Sequence, residues 1–428
     1  MVRAGYGLSY VATFTPSGTQ GFSQSTPYNS SPDGGINFSG NYLNNPYPTG
    51  ILTPTGSKNG LSTFLGQSVS FTNLDRVIPR VHQFSLGVQR ELPFRSVLEV
   101  SYVGSRSQQM NVSANLDVVS MAQFLQYGGN ASPNLADSCS ATSSTCKYAN
   151  PFYGLLPAGP GLATSTTRQQ LLLPYPQFTG VTENNIPMGK SWYNSLQVRF
   201  DKRLTHGLNV LVSYTHSKQL NATGWLNAQE PITQTPDRTL AGQDTPNRVV
   251  ISGNWTLPIF SHTNGILGVF VKGWSLNGVF MRENGFPLGA PGGFASTGID
   301  PALPNGDNTK SFNTCTQLTT GALANCSFNG QTLPTAFIQQ ANNTLRTLSG
   351  VFPSIRPPIP PNADLSMFKA FTMHETWNLQ FRAEAFNGTN SARFGGPNTG
   401  LAGTTAGVVT LNQQNDPRNV QLSLRLRF

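Results

Sequence analysis

The residues able to do chemistry are few and scattered. Five histidines, His82, His206, His216, His262 and His374, stand far apart, with no spacing that would gather ligands for a metal. The sequence holds no Gly-x-Ser-x-Gly elbow, no P-loop and no complete Gly-x-Gly-x-x-Gly. Glu384 close to Arg382 could suggest acid–base work, but two residues apart on a strand they share a face, and an ion pair is the expectation. The chain is therefore read as a non-enzyme with no catalytic residue, cofactor or metal. The cysteines fall as local pairs, Cys139/Cys146 and Cys315/Cys326, each inside a polar stretch. With no Cys-x-x-Cys spacing and no adjacent His, they predict two small disulfide-closed loops in an oxidising compartment.

Composition narrows the class of fold that carries these residues. Of 428 residues only 11% are charged and 37% are apolar, with mean hydropathy −0.23. A soluble domain carries about 25% charged residues. The 26 Phe, 12 Tyr and 5 Trp argue against disorder. No apolar run approaches the roughly 20 residues of a spanning helix. The net charge of +9 is spread thinly, and its densest cluster is Arg425 with Arg427, so no nucleic-acid partner is expected.

What positions the side chains is a period of two. Ala4, Tyr6, Leu8, Tyr10, Ala12 and Phe14 share one parity, while Arg3, Gly5, Gly7, Ser9 and Thr13 share the other. The pattern returns over residues 81–92, 95–104, 191–203, 207–217, 248–257, 273–283, 363–371, 376–387 and 418–428, giving ten candidate strands. Short links alternate with long, structureless loops over about 15–80, 105–190 and 284–362. Compact soluble domains rarely carry such loops. Outer-membrane barrels pair short periplasmic turns with long extracellular loops. Trp192, Trp255, Trp274 and Trp377 stand at strand ends like an interfacial girdle. The expected fold is all-β: an antiparallel transmembrane outer-membrane β-barrel, partial, with long extracellular loops. Its apolar parity would meet outer-membrane lipid. Its polar parity would place Arg3, Glu99, Arg199, Asp201, Arg382, Glu384, Arg425 and Arg427 in the lumen.

Several stretches also resemble the barrel of Oar-like TonB-dependent receptors of Acidobacteria-type outer membranes. They are Arg80–Leu92, Val97–Arg106, Trp192–Arg203, Leu208–Lys218, Gly273–Gly278 and Asn378–Asn387. The terminal Val420–Phe428 looks like the signal read by the outer-membrane assembly machinery, with Phe428 as its final aromatic. The resemblance implies uptake of an unidentified solute, energised through a TonB complex in a full-length parent. Such receptors carry a signal peptide, a carboxypeptidase-regulatory-like domain, a plug and a TonB box, which are not found in this sequence. Residues 1–428 are accordingly expected to be the C-terminal part of such a barrel. The alternative is a small passive pore or surface adhesin closed from ten strands.

Overall fold

The computed structural model describes residues 1–11, 21–26, 47, 50–75, 77–127, 148–205, 207–232, 235–258, 265–372 and 377–428. Ten strands make its wall: β1 Val2–Tyr10, β2 Arg80–Leu92, β3 Ser96–Asn115, β4 Gly180–Thr205, β5 Leu208–Ala222, β6 Asn247–Thr256, β7 Trp274–Glu283, β8 Asn362–Thr372, β9 Asn378–Phe386 and β10 Asn419–Arg427. They form an antiparallel meander in which every chain neighbour is a spatial neighbour. Two short strands join it from the loops, Ser68–Thr72 parallel to β4 and Thr239–Leu240 antiparallel to β5. Among the described residues β1 does not pair with β10, so the sheet stays open. No helix among the described residues is long and apolar enough to cross a membrane.

All ten alternating stretches are wall strands, and two of the tight links show a physical cause; the β8–β9 link, 373–376, lies outside the described residues. Between the paired Leu92 and Ser96 lie the three loop residues Pro93, Phe94 and Arg95, of which Phe94 and Arg95 sit in the left-handed region at φ 61 and 56, the twist a tight hairpin needs. Gly207, at φ 76, turns β4 into β5. Residues 12–14, also expected in the first strand, lie outside the described residues.

The register sets the tilt. The hydrogen-bonded row that starts at Val2, low on β1, runs through Val88, Val100, Val198, Tyr214 and Val249 to Arg282, high on β7. Six steps of about 4.8 Å at a tilt of about 40° raise it by roughly 19 Å, most of an apolar band about 25 Å tall. The apolar window moves down each successive strand to match. It covers Val2–Leu8 on β1 and Val420–Leu426 on β10.

Two regions depart from the expected loops. β3 and β4 run well past residues 104 and 191, continuing as a two-stranded ribbon through register shifts between Ser107 and Ala114. Eight residues beyond Ser107, at about 3.3 Å each, carry it roughly 26 Å farther. Residues 284–362 are not structureless. Phe294, Phe312, Ala336, Phe337, Leu348, Phe352 and Ile355 form a buried core that Leu401 completes from the β9–β10 loop. Over it lies a small sheet of Phe294–Ser296, Thr316–Gln317, Leu323–Ala324 and Phe337–Gln339. This cap closes through the Cys315–Cys326 disulfide. The Lys310 ammonium donates to the carbonyls of Asn325 (2.7 Å) and Ser327 (3.0 Å), while Asn325 Nδ2 donates to those of Leu401 and Gly403. A third loop is tied in by Arg356, whose Nη2 lies 2.6 Å from a carboxylate oxygen of the buried Asp244.

The start of the β3–β4 loop is held by Asp117. One of its oxygens accepts the Tyr175 N–H at 3.0 Å; the other is buried without a partner among the described residues. Burial raises its pKa above the ordinary carboxyl value, and the Tyr175 bond only partly offsets that. The folded loop thus holds the proton more tightly than the unfolded chain. Its contribution is favourable at low pH and is lost as pH rises through the elevated folded pKa. Asp117→Asn should stabilise the segment by about 1 kcal/mol near neutral pH, with the gain vanishing in acid. Hydrogen exchange at Tyr175–Val181, corrected for intrinsic rates, checks this. A pH-independent gain would remove the titration from the account.

Candidate functional site

The wall has two chemically distinct faces. One carries Tyr6, Leu86, Val88, Val100, Tyr102, Leu196, Leu365, Leu422 and Leu424, all exposed; Leu422 keeps 67% of its surface open. An apolar face this continuous is not stable in water and calls for lipid or protein cover. The other face carries the polar parity and the cavities.

Charge sorts by face as well. In the wall below Ser107 and Ser191, every carboxylate lies on the polar face: Glu91, Glu99, Asp201, Glu283, Asp364 and Glu384. The charges on the apolar face are all cationic: Arg80, Arg90, Arg106, Lys202, Lys218, Arg282 and Lys369. Lys369 shows how one is accommodated. Its ammonium lies over the Phe371 and Trp274 rings, at 5.0 and 5.8 Å, and donates to the Lys272 carbonyl.

Of the residues singled out in the sequence, Arg199 and Asp201 come together near the turn end of β4, 3.5 Å apart. With Arg3, Glu99 and Arg203 they line a cavity of about 220 Å³ on the polar face. Arg199 stands directly across from Glu99. Mixed charges hydrated in this way add little stability, about 0–1 kcal/mol per pair. Arg382, Glu384, Arg425 and Arg427 share that face on β9 and β10. The expected Arg382–Glu384 ion pair is not formed. Arg382 donates through Nε and Nη2 to Gln380 Oε1, at 3.1 and 2.9 Å, and stacks over Phe368. The ring beneath the guanidinium steers it toward the turn end, away from Glu384.

The larger cavity, about 830 Å³, lies where β7–β10 meet the long loops. Glu283, Asp364, Arg393, Asp416 and Arg418 bring both signs of charge to it. Arg248 lies 3.6 Å from Glu283, and Asp364 accepts the Asn387 N–H. Sequence reasoning missed Arg393 and Asp416 because they sit in loop segments with no period, and Arg418, placed in the last alternating stretch, lies one residue before β10.

His82 and His216 lie on the apolar face, their Nδ1 atoms 2.8 Å from Tyr6 Oη and 3.0 Å from Asn247 Oδ1. His206, His262 and His374 lie outside the described residues, as do Cys139 and Cys146. Among the described residues no three His, Cys, Asp or Glu side chains are grouped to hold a metal. The Phe428 ring, 88% exposed, meets Trp377 at 6.2 Å between centroids.

A tilted antiparallel meander with a lipid-compatible outside, a charged inside and long loops at one end defines an outer-membrane barrel wall. The chain belongs to the outer membrane beta barrel domain family, whose profile matches residues 1–421. It is an outer-membrane protein. Solved structures similar to it include the outer membrane transporter YddB from Escherichia coli, at 8% identity and TM-score 0.37 over 85% of this chain and 35% of that one. The ferripyoverdine receptor of the outer membrane of Pseudomonas aeruginosa is similar at 9% and 0.32, over 82% and 27%. The ferric-catecholate import receptor Fiu from E. coli K12 is similar at 10% and 0.33, over 86% and 31%. The chain spans about a third of the length of these structures. No curated protein matches it.

Proposed function

We propose that this chain is the C-terminal part of the barrel of an Oar-like TonB-dependent receptor, taking up a solute with energy delivered through TonB to the full-length protein. The observation that carries the reading is the open wall: β1 and β10 each keep one edge without a partner among the described residues. In lipid each unpaired backbone group costs several kcal/mol, so these edges require further strands. The polar face, with Arg199, Asp201, Arg382, Glu384, Arg425 and Arg427, is then part of a wider lumen. The excess of guanidinium groups there favours anionic solutes. Phe428 closes the segment through which the assembly machinery would engage the barrel. No residue acts as a catalyst in this reading.

The test pairs Ala4→Cys on β1 with single cysteines at Val420, Leu422, Leu424 and Leu426 on β10, in a background lacking the native cysteines. The full-length protein should give no intrachain cross-link between them, and should bind the purified periplasmic domain of TonB. The 428-residue chain in liposomes should pass neither potassium chloride nor arabinose. An efficient β1–β10 cross-link with steady conductance would instead establish the small passive pore.

A further inference from the structure

The apolar face of β2–β5 ends, on the long-loop side, in a patch of cations. Across adjacent strands Arg106 stands opposite Trp192, and Asn194 opposite Lys218. Arg238, from the β5–β6 loop, lies over the Trp192 ring at 4.7 Å. Arg106 is held in place from below and beside. Its guanidinium sits 5.4 Å from the Phe84 ring centroid. It donates through Nη1 to the carbonyls of Ser105 and Tyr193, and through Nη2 to Asn194 Oδ1 at 2.7 Å. The same Asn194 oxygen accepts the Tyr102 hydroxyl.

Those three bonds use three of the five N–H donors of an arginine. Two remain on a group that the protein has already oriented. Among the described residues the exposed Lys218 ammonium has no partner, and Arg238 has the Trp192 ring alone. No carboxylate occupies the outward positions of β1–β5 below Ser107 and Ser191. At the opposite end of this face the outward ammonium groups are satisfied within the protein. Lys202 donates to Thr205 Oγ1 and the Phe94 carbonyl, and Lys369 to the Lys272 carbonyl.

We propose that Arg106, Lys218 and Arg238, gathered round Trp192, bind a phosphate group of an outer-leaflet lipid headgroup. Prefixed guanidinium donors and an unpaired ammonium suit a phosphate oxygen, where charge-assisted bonds are strongest. The patch is amphipathic, which selects a lipid over a free anion. On the membrane side of it, along the same strands, lie Tyr102, Leu196, Val198 and Tyr214, an apolar track for an acyl chain. Long extracellular loops place this end of the barrel at the outer leaflet. The inference rests on the outer-membrane location and is independent of which solute the barrel carries.

The test uses the full-length protein purified from outer membranes in detergent. The probes are lipid A bearing its phosphates, the same lipid with its phosphates removed, and inorganic phosphate. Native mass spectrometry reads the lipid retained. The wild type should hold phosphorylated lipid A at least about tenfold more tightly than the triple variant Arg106→Gln/Lys218→Gln/Arg238→Gln. Arg90→Gln, at the turn end of the same face, should bind as the wild type does. Lys218→Gln alone breaks no bond within the protein and should weaken binding about threefold, which guards against a folding defect in the triple variant. Equal retention by wild type and both Lys218 variants would overturn the proposal. So would equal affinity for the dephosphorylated lipid, or competition by inorganic phosphate as strong as by lipid A, since the site would then read the acyl chains alone or a free anion.

Discussion

Asp244→Ala should loosen the cap more than any other single change on the loop side of the barrel. The carboxylate is buried, accepts the Gln219 N–H at 2.7 Å and holds Arg356, whose Nη1 reaches the carbonyls of Asp244 and Gly285. Removing it leaves a guanidinium, only 15% exposed, without its counter-charge. Breaking a buried pair by deleting one partner costs about 3–5 kcal/mol. Local opening of residues 285–361 should therefore rise by at least about a hundredfold, read as lost hydrogen-exchange protection at Leu288, Ala290 and Phe352. Asp244→Leu combined with Arg356→Leu removes both charges and should recover much of the loss. If the single and double variants lose protection equally, packing of the segment holds the cap and the ion pair does not.

The second large effect concerns the two faces of β4. Val198 points to the apolar side, in a row with Val100 and Tyr214; Gln197, the next residue, points to the polar side beside Ser101 and Thr215. Val198→Arg puts a cation into mid-band, where it costs about 2–4 kcal/mol. Gln197→Arg should stay within about 0.5 kcal/mol of the wild type. The yield of folded, heat-modifiable barrel in outer membranes, with urea titration of the extracted protein, separates the two. Comparable losses at both positions would mean that the assignment of faces is wrong.

The wall could be read in the sequence because lipid on one side and water on the other enforce a period of two, and each strand repeats that signal. The cap could not. Phe294, Phe312, Phe337 and Phe352 keep no regular spacing, and Leu401 joins them across the β8–β9 hairpin, so a polar segment with isolated aromatics looks the same whether or not it folds. The ribbon beyond Ser107 is a different case. On β3, Met110, Val112 and Ala114 alternate with Gln109, Asn111, Ser113 and Asn115, and Val112 and Ala114 are buried. But the run is short, the register shifts three times along it, and the facing stretch 180–190 mixes Gly, Pro, Asn and Glu, so the pattern does not stand out from a loop. In the polar lining, strand parity gave the placement of Arg199, Asp201, Arg382 and Glu384 but not their partners. Gln380 took Arg382 through a side-chain conformation that Phe368 imposes. The link from Asp244 to Arg356 spans 112 residues and leaves no local trace.

Because the cap draws its core from segments on either side of β8 and β9, it cannot be completed before that hairpin is in register. A slip of one residue in pairing Leu365 with Ala385 would turn the apolar side chains of β9 toward the polar face. It would also shift the β9–β10 loop along the strand, away from the position in which Leu401 fills the cavity among the phenylalanines. The filled core of the cap is thus a structural consequence of the β8–β9 register. Without Leu401 in place, Phe294, Phe312, Phe337 and Phe352 would lose part of their cover.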